Sequence, residues 1–322
     1  MTTADCPCCG AKNSSRDLFQ GINADLPRSP RLSILRCSRC GIVYTGNPPA
    51  ETSGEDLYFD GYYGEAASVR LSNRLAIALF QKERQSLALA DHMPARVLDV
   101  GCGDGTFLRC LPAGVERFGY EPSLSGRSAL GKFGVRQLDP HGPASEHEAS
   151  FDLITLWQVF EHVDTPDDLL QRLRRLLKSS GSVFISVPNL GSLQARMFRG
   201  HWFHLDPARH LFHYEKKTLA EVCERNGFAA TWRTTKSLEY GVFGWWQSFF
   251  NLLPFDFNMG YKILKSRKKY PLTAVNVLAL LVYGLLAVPL GFLSVALMFI
   301  EAALGKGAVL QVRLTPSFQG RN

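Results

Sequence analysis

The chain has 322 residues, 46% hydrophobic and 20% charged, enough to bury a full core and unlike a disordered or collagen-like composition. Its 36 Lys and Arg against 29 Asp and Glu leave a net charge of +7. That excess suits a nucleic acid or an anionic membrane surface, yet it is modest for so long a chain, and where it collects is more informative than its size. The N-terminus Met1-Thr-Thr-Ala-Asp-Cys has neither the basic start nor the apolar run of a secretory signal. The chain is therefore expected in a reducing cytosol, where disulfides are disfavoured.

Of the eight cysteines, Cys6, Cys8, Cys9, Cys37 and Cys40 crowd the first forty residues, while Cys102, Cys110 and Cys223 are scattered. Cys6-Pro-Cys-Cys-Gly and Cys37-Ser-Arg-Cys-Gly are two C-x-x-C-Gly turns, the spacing by which paired thiolates complete a tetrahedral zinc site. Cys6, Cys9, Cys37 and Cys40 are the expected ligands, with Cys8 spare. With no open coordination position, the zinc would be structural. Residues 1–46 read as a small separate module, a zinc ribbon, followed by a linker at Asn47-Pro-Pro-Ala-Glu-Thr-Ser-Gly. The module is not rich in basic and aromatic residues, which argues against nucleic acid as a partner and for a role in folding or acceptor shaping.

From Ser68 to His92 apolar residues recur at helical spacing, predicting one long amphipathic helix. Strand-like and helical runs then alternate: Arg96 to Val100, Phe107 to Leu111, Arg117 to Glu121, Ser123 to Lys132, Phe151 to Trp157, Asp167 to Lys178 and Ser182 to Val187. Thr218 to Asn226 reads as a further helix and Phe228 to Thr234 as a further strand. This alternation implies an α/β fold, a doubly wound, mostly parallel sheet covered by helices on both faces, over residues 60–234.

Val97-Leu-Asp-Val-Gly-Cys-Gly-Asp-Gly is an apolar strand running into three alternating glycines, where a ligand can approach the backbone at the strand's carboxyl end. Glycines also serve tight strand-to-helix turns for purely steric reasons, so two further residues matter. Asp99 lies inside the strand, where a carboxylate can order the loop or meet a cation. Glu121 ends the next strand, placed to accept both hydroxyls of a ribose. Asp104 in the turn disfavours a phosphate there.

Leu98-Asp-Val-Gly-Cys-Gly-Asp-Gly, Gly119-Tyr-Glu-Pro, Phe151-Asp-Leu-Ile-Thr-Leu-Trp-Gln-Val-Phe-Glu-His-Val and Leu177-Lys-Ser-Ser-Gly-Ser-Val-Phe-Ile-Ser-Val-Pro-Asn resemble successive motifs of class I, Rossmann-like S-adenosylmethionine-dependent methyltransferases. The resemblance is greatest to the branch with quinone-biosynthesis and sugar methyltransferases, and it implies a seven-stranded sheet. It also implies that Gly101, Cys102, Gly103 and Gly105 surround the methionine part of S-adenosylmethionine and that Glu121 holds the ribose. Asp139 would be the adenine-side residue, although Leu138-Asp-Pro departs from the usual pattern, and Trp157 and Gln158 would line the pocket.

Methyl transfer is an in-line displacement from a sulfonium, so alignment of donor and acceptor matters most, with a base where the acceptor loses a proton. His162, beside Glu161 just beyond the fourth strand, is the candidate base; the bland alternative is that both pack and hydrogen-bond at a strand-to-helix junction. His201, His204, His210 and His213 cluster in a segment expected to overhang the active site, with His210 a catalytic candidate and a second metal site an alternative reading. Relatives carry a similar Leu-Asp-Pro-x-Arg-His-Leu segment, which by resemblance closes the substrate pocket. Tyr62 and Tyr63 are candidates for a lid.

Val277 to Ile300 contains no charged residue and is long enough to cross a bilayer. Lys262, Lys265, Arg267, Lys268 and Lys269 precede it, and before them comes Phe243-Gly-Trp-Trp-Gln-Ser-Phe-Phe. Basic residues beside an apolar segment favour anionic cytoplasmic lipid, and tryptophans favour the interface. Lys306 to Leu314 alternates like the last strand of the sheet and is expected to pair antiparallel with Phe228 to Thr234. Residues 235–304 must then leave and return on one side, and Pro289 and Gly291 predict a bend. The expectation is a hydrophobic helical hairpin, re-entrant or interfacial, on the cytoplasmic face of the membrane, with residues 305–322 as last strand and tail. The alternatives are a single-pass span and a dimerisation hairpin, which would make a homodimer.

The leading expectation is a membrane-associated S-adenosylmethionine-dependent methyltransferase with a structural zinc, acting on a lipid, lipid-linked sugar or quinone-type acceptor. The alternatives are an RNA methyltransferase whose zinc ribbon contacts RNA and a non-catalytic scaffold that keeps the fold.

Overall fold

The computed structural model describes residues 5–22, 31–48, 71–139, 147–265 and 273–317. Tyr62, Tyr63, most of the linker that begins at Asn47, and Arg267 to Lys269 lie outside the described residues. The chain divides into two compact units. One comprises residues 50–187, 216–233 and 310–322; the other is assembled from residues 1–49, 188–215 and 234–309.

The first unit is built on a seven-stranded sheet. In chain order its described elements are helix α1 (Leu71–Ala88), strand β4 (Arg96–Val100), helix α2 (Thr106–Arg109), β5 (Glu116–Tyr120), α3 (Leu124–Lys132), β6 (Arg136–Gln137), β7 (Phe151–Trp157), α4 (Pro166–Leu176), β8 (Leu177–Pro188), α6 (Lys216–Arg225), β10 (Phe228–Thr234) and β11 (Val309–Pro316). The strand order is β10-β11-β8-β7-β4-β5-β6. The pairings β4 with β5, β4 with β7, β5 with β6 and β7 with β8 are parallel. This is the doubly wound, mostly parallel sheet expected of the sequence.

Val97, Leu98 and Val100 are all buried, on alternate faces of β4, as a strand covered on both sides requires. Helix α4 starts with Pro166 at its first turn beside Asp167 and Asp168, where proline and negative charge both favour a helix N-terminus. Its buried residues Leu169, Leu170, Leu173 and Leu176 form the stripe that docks it. One core cluster joins Val97, Phe107, Leu108, Leu130, Leu153, Trp157 and Phe184.

The second unit holds a four-stranded sheet in the order β1 (Ser15–Gly21), β2 (Leu32–Cys37), β3 (Val43–Thr45), β9 (Phe212–His213). Strand β9 pairs antiparallel with β3, Val43 opposite His213 and Tyr44 opposite Phe212. Arg36 grips Glu215 with two hydrogen bonds of 3.0 and 2.8 Å. Ile34 and Val43 share a core with Leu190, Phe198, Trp202, Leu205 and Trp245. The cysteine-bearing N-terminus is thus not a module by itself, because its short strands bury an apolar face only against chain supplied from much further on.

The same unit contains α5 (Leu193–Phe198), α7 (Leu238–Phe250), α8 (Met259–Lys265) and α9 (Ala274–Ala303). Here the structure corrects an expectation: the apolar segment is one continuous helix of 30 residues with Pro289 inside it, not a hairpin. A mid-helix proline costs about 3 kcal/mol, but leucine and alanine on both sides favour the helix and both halves lie along α7. Gly241 of α7 abuts Met298. The Trp246 indole donates to the Ala287 carbonyl at 3.0 Å, and Phe250 stacks on Tyr283 with centroids 3.9 Å apart. Partners that descend along α9 as they ascend along α7 make the two helices antiparallel.

Candidate functional site

Strand β4 delivers Asp99 to the carboxyl end of the sheet and then turns through Gly101, Gly103 and Gly105, whose φ values are +69°, +56° and +74°. Only glycine adopts this left-handed geometry without strain. At Gly101 a Cβ would also come within 2.4 Å of Val159 Cγ2, so the loop and the end of β7 approach as closely as backbone allows. The amides of Gly101 and Cys102 donate to the Tyr120 carbonyl at 2.7 and 3.0 Å, which pins the loop beside β5. Asp104 Oδ1 accepts from the Thr106 amide at 3.0 Å, so this carboxylate is turned onto the first residue of α2.

Glu121, only 3% exposed, is fixed by that loop. Its Oε2 accepts from the Gly103 amide at 2.9 Å and its Oε1 from the Ser123 amide at 3.0 Å. Both carboxylate oxygens are thereby held against the loop at the carboxyl end of β5. Gly126, in the first turn of α3, is required here, because a Cβ would meet Glu121 Cγ at 2.4 Å. The sequence reading missed Gly126, Ser123 and Val159; a glycine four residues after a proline in a helix start was the available hint.

Asp99 is equally buried and accepts a 2.6 Å hydrogen bond from Thr155 Oγ1. Burial pushes its carboxyl up to about 7, against the pull of Thr155 and of the Arg84 cation and with the push of Glu121. A buried acid so poised is relieved by a cation placed beside it. Arg84, on α1, lies over the Trp157 ring at 5.4 Å. Trp157 itself packs between Phe107 and Phe184, centroids 5.3 and 4.9 Å away, so its ring belongs to the core as much as to any pocket wall.

Gln158 follows with φ +55° and anchors to β8, its amide on the Ser186 carbonyl and its side chain on Ser186 Oγ. Cys102 is a buried thiol on the same loop. Asp139 is exposed just after β6. Thus Asp99, Gly101, Cys102, Gly103, Gly105 and Glu121 come together around one loop, and Trp157 and Gln158 lie at the end of neighbouring β7.

Glu161 and His162 form a short 3-10 turn, Phe160–His162, beyond β7. Burial raises the Glu161 carboxyl to about 8. His162 is half-buried, and its amide donates to the Val159 carbonyl at 2.9 Å. His210, the third catalytic candidate, belongs to the other unit, where its carbonyl accepts from Thr45 Oγ1 at 2.9 Å. The other histidines of that segment do not gather into a metal site of their own among the described residues. His204 bonds the Tyr240 carbonyl at 2.8 Å and His213 bonds Thr45 Oγ1 at 3.0 Å. Burial pulls their imidazoles down to about 4 and about 3, so both are neutral at ordinary pH.

In the second unit the two cysteine turns face each other. Gly10 and Gly41, with φ +66° and +72°, close them by donating to the Cys6 and Cys37 carbonyls at 2.9 and 3.0 Å. Cys6 Sγ is 3.7 Å from Cys40 Sγ and Cys9 Sγ 3.8 Å from Cys37 Sγ, with all four sulfurs within 4.8 Å of one another. Zinc–sulfur bonds of about 2.3 Å in a tetrahedron demand sulfurs about 3.8 Å apart. The four thiols therefore fit a closed tetrathiolate site.

The chain is similar in part to known proteins. Residues 72–231 match the family model described as a methyltransferase domain. The ubiquinone biosynthesis O-methyltransferase of Xanthomonas oryzae pv. oryzae is 33% identical over 111 residues, 32% of this chain and 46% of the relative. That of Yersinia pestis is 31% identical over 104 residues, 29% and 43% of the two chains. A crystal structure of an S-adenosylmethionine-dependent methyltransferase from Archaeoglobus fulgidus aligns with a TM-score of 0.46 at 18% identity, covering 80% of this chain and 97% of that one. By this domain the chain belongs to the class I S-adenosylmethionine-dependent methyltransferases. Both of these relatives are named for ubiquinone biosynthesis, and the chain spans less than half of their length.

Proposed function

We propose that this protein transfers a methyl group from S-adenosylmethionine to a lipid, lipid-linked sugar or quinone-type acceptor at the cytosolic face of a membrane, with a structural zinc in the four-cysteine site. The observation that carries the donor assignment is Glu121, buried at the end of β5 and locked against the glycine loop by the Gly103 and Ser123 amides. S-adenosylmethionine supplies an electrophilic methyl group on a positively charged sulfur. Glu121 holds the ribose hydroxyls, the Gly101–Gly105 loop admits the methionine part, and buried Asp99 favours the positive charge there. Asp139 stands on the adenine side.

The acceptor's hydroxyl oxygen attacks the methyl carbon in line, the sulfur–carbon bond breaks as the oxygen–carbon bond forms, and the proton passes to His162. An O-methylated, hydrophobic acceptor is favoured by two things: the named activity of the ubiquinone-biosynthesis relatives and the exposed apolar length of α9, of which Leu285 and Phe292 are 77% and 76% exposed. The zinc closes the small sheet rather than joining the chemistry, since its four thiolates leave no open position.

Calorimetric titration with S-adenosylmethionine and S-adenosylhomocysteine tests the donor, and transfer of labelled methyl groups to fractions of a membrane lipid extract, beside total RNA, tests the acceptor. Binding with label in the lipid fraction is the expected result. Binding with label in RNA instead would replace the acceptor class, and absence of binding would leave a scaffold that keeps the fold.

A further inference from the structure

Helix α9 presents two different faces. Ala279, Tyr283, Ser294, Met298 and Glu301 are buried on one side. Glu301 Oε1 accepts from Gln194 Nε2 at 3.0 Å, so the helix's acidic side chain is turned inward. On the other side Leu278, Leu281, Leu285, Val288, Phe292, Val295 and Phe299 follow in alternate steps of three and four residues, which places them in one row. All seven are between 40% and 77% exposed. The row contains no polar side chain and runs over about 30 Å at 1.5 Å per residue.

The connectivity decides how such a helix meets a bilayer. Strands β10 and β11 are neighbours in one sheet, and residues 235–308 join them. If α9 crossed the membrane, its Thr273 end would lie on the far side and residues 235–272 would have to cross as well. Among their described residues the longest helix is α7, 13 residues or about 20 Å, against a hydrocarbon core of about 30 Å. The stretch from Asn251 to Asn258 is turn and bend, with backbone groups that lipid cannot satisfy. No described segment between β10 and α9 therefore supplies a second crossing.

We infer that α9 lies in the plane of an anionic membrane, docked on α7 by one face and inserting the row from Leu278 to Phe299 into the acyl boundary. This inference rests on the membrane-associated reading above and adds the orientation, the inserted residues and the lipid charge. The charge follows from the sequence: Lys262, Lys265, Arg267, Lys268 and Lys269 directly precede the helix, and such a run is drawn to acidic headgroups. A lipid surface fits the row better than a second copy of the chain, because protein interfaces carry hydrogen bonds and a polar rim and this row offers neither.

The test uses the full chain with vesicles of phosphatidylglycerol and phosphatidylethanolamine, beside neutral phosphatidylcholine vesicles. A fluorescent non-canonical amino acid is placed singly at Leu281, Leu285, Phe292 and Phe299 and quenched by lipids brominated at graded depths. The expected result is salt-sensitive binding to the anionic vesicles only and the same shallow depth at all four positions. Leu285→Glu with Phe292→Glu should abolish sedimentation with vesicles while S-adenosylhomocysteine binding is unchanged. Binding with depth that rises and falls along the helix would overturn the in-plane orientation and leave the membrane reading standing. Equal binding to neutral vesicles would overturn the assigned lipid charge. No vesicle binding, with the double variant turning a dimer into a monomer, would overturn both and assign the row to a second copy.

Discussion

The two units solve the problem of holding a polar site in different ways. In the sheet unit, Asp99, the glycine loop and Glu121 lie within 23 consecutive positions, and each is set by the strand end that carries it. In the composite unit, the four thiols sit on turns flanking β1, β2 and β3, but the sheet that steadies those turns is completed by β9. Its core draws on Trp202 and Trp245 as well. A local site tolerates change elsewhere in its unit, whereas a site whose support comes from three stretches of chain depends on all of them.

The sharpest way to break this comparison is to remove one of the four thiols proposed to hold zinc. Cys37→Ser should eliminate bound zinc, measured by elemental analysis, and unfold the composite unit, because binding energies on the order of 10 kcal/mol are coupled to folding at such sites. Hydrogen exchange should show protection lost over residues 5–22, 31–48 and 202–213 and retained in β4, β5 and β7. Loss of protection in all of these strands together would show that the units do not unfold separately.

Next in size is the buried acid of α9. Burial raises Glu301 from its ordinary 4.5 to about 7, with Gln194 pulling the other way. The folded protein therefore holds the proton more tightly than the unfolded chain. The stability this confers is present in full below about pH 4.5 and is lost as pH rises through 7. The loss amounts to on the order of 3 kcal/mol at most. Glu301→Gln keeps an acceptor for Gln194 and should flatten the decline of the melting temperature between pH 5 and pH 8. An unchanged slope would assign that decline to Asp99 or Glu161, whose carboxyls are also raised.

Within the proposed cofactor site, Glu121→Ala should weaken S-adenosylhomocysteine binding by about 2 kcal/mol, roughly thirtyfold, since it removes a charged acceptor. Calorimetry reads the change directly, and undiminished affinity would take Glu121 out of the site. Gly101→Ala is the smallest of the four. It forces a side chain into a left-handed backbone against Val159, so a loss of about 1–2 kcal/mol in stability is expected from chemical denaturation. A variant as stable as the parent would mean that Val159 yields and the loop is less tightly held than its geometry implies.

Much of the sheet unit was legible in the sequence because its determinants are local. An apolar run before glycines reads as a strand entering a turn, and β4, β7 and β10 fall where the pattern put them. The fit of Cys6, Cys9, Cys37 and Cys40 to one tetrahedron likewise follows from spacing and glycine turns. The supporting residues were less visible. Thr155 meets Asp99 only because β7 lies parallel to β4 in the register that pairs those two residues, and nothing near Thr155 announces a buried acid.

Composition and periodicity alone therefore determined the class of fold, the position of the glycine loop and its acidic partner, and the presence of one long apolar segment. Tertiary structure decided what those parts join. It put β9 beside β3, so that the N-terminal residues are not an independent module. It kept α9 continuous through Pro289, because docking along α7 outweighs one missing hydrogen bond. Both outcomes depend on contacts between residues far apart in the chain, and hydrophobic burial is non-directional: a sequence shows which faces must be covered, and only the folded chain shows by what.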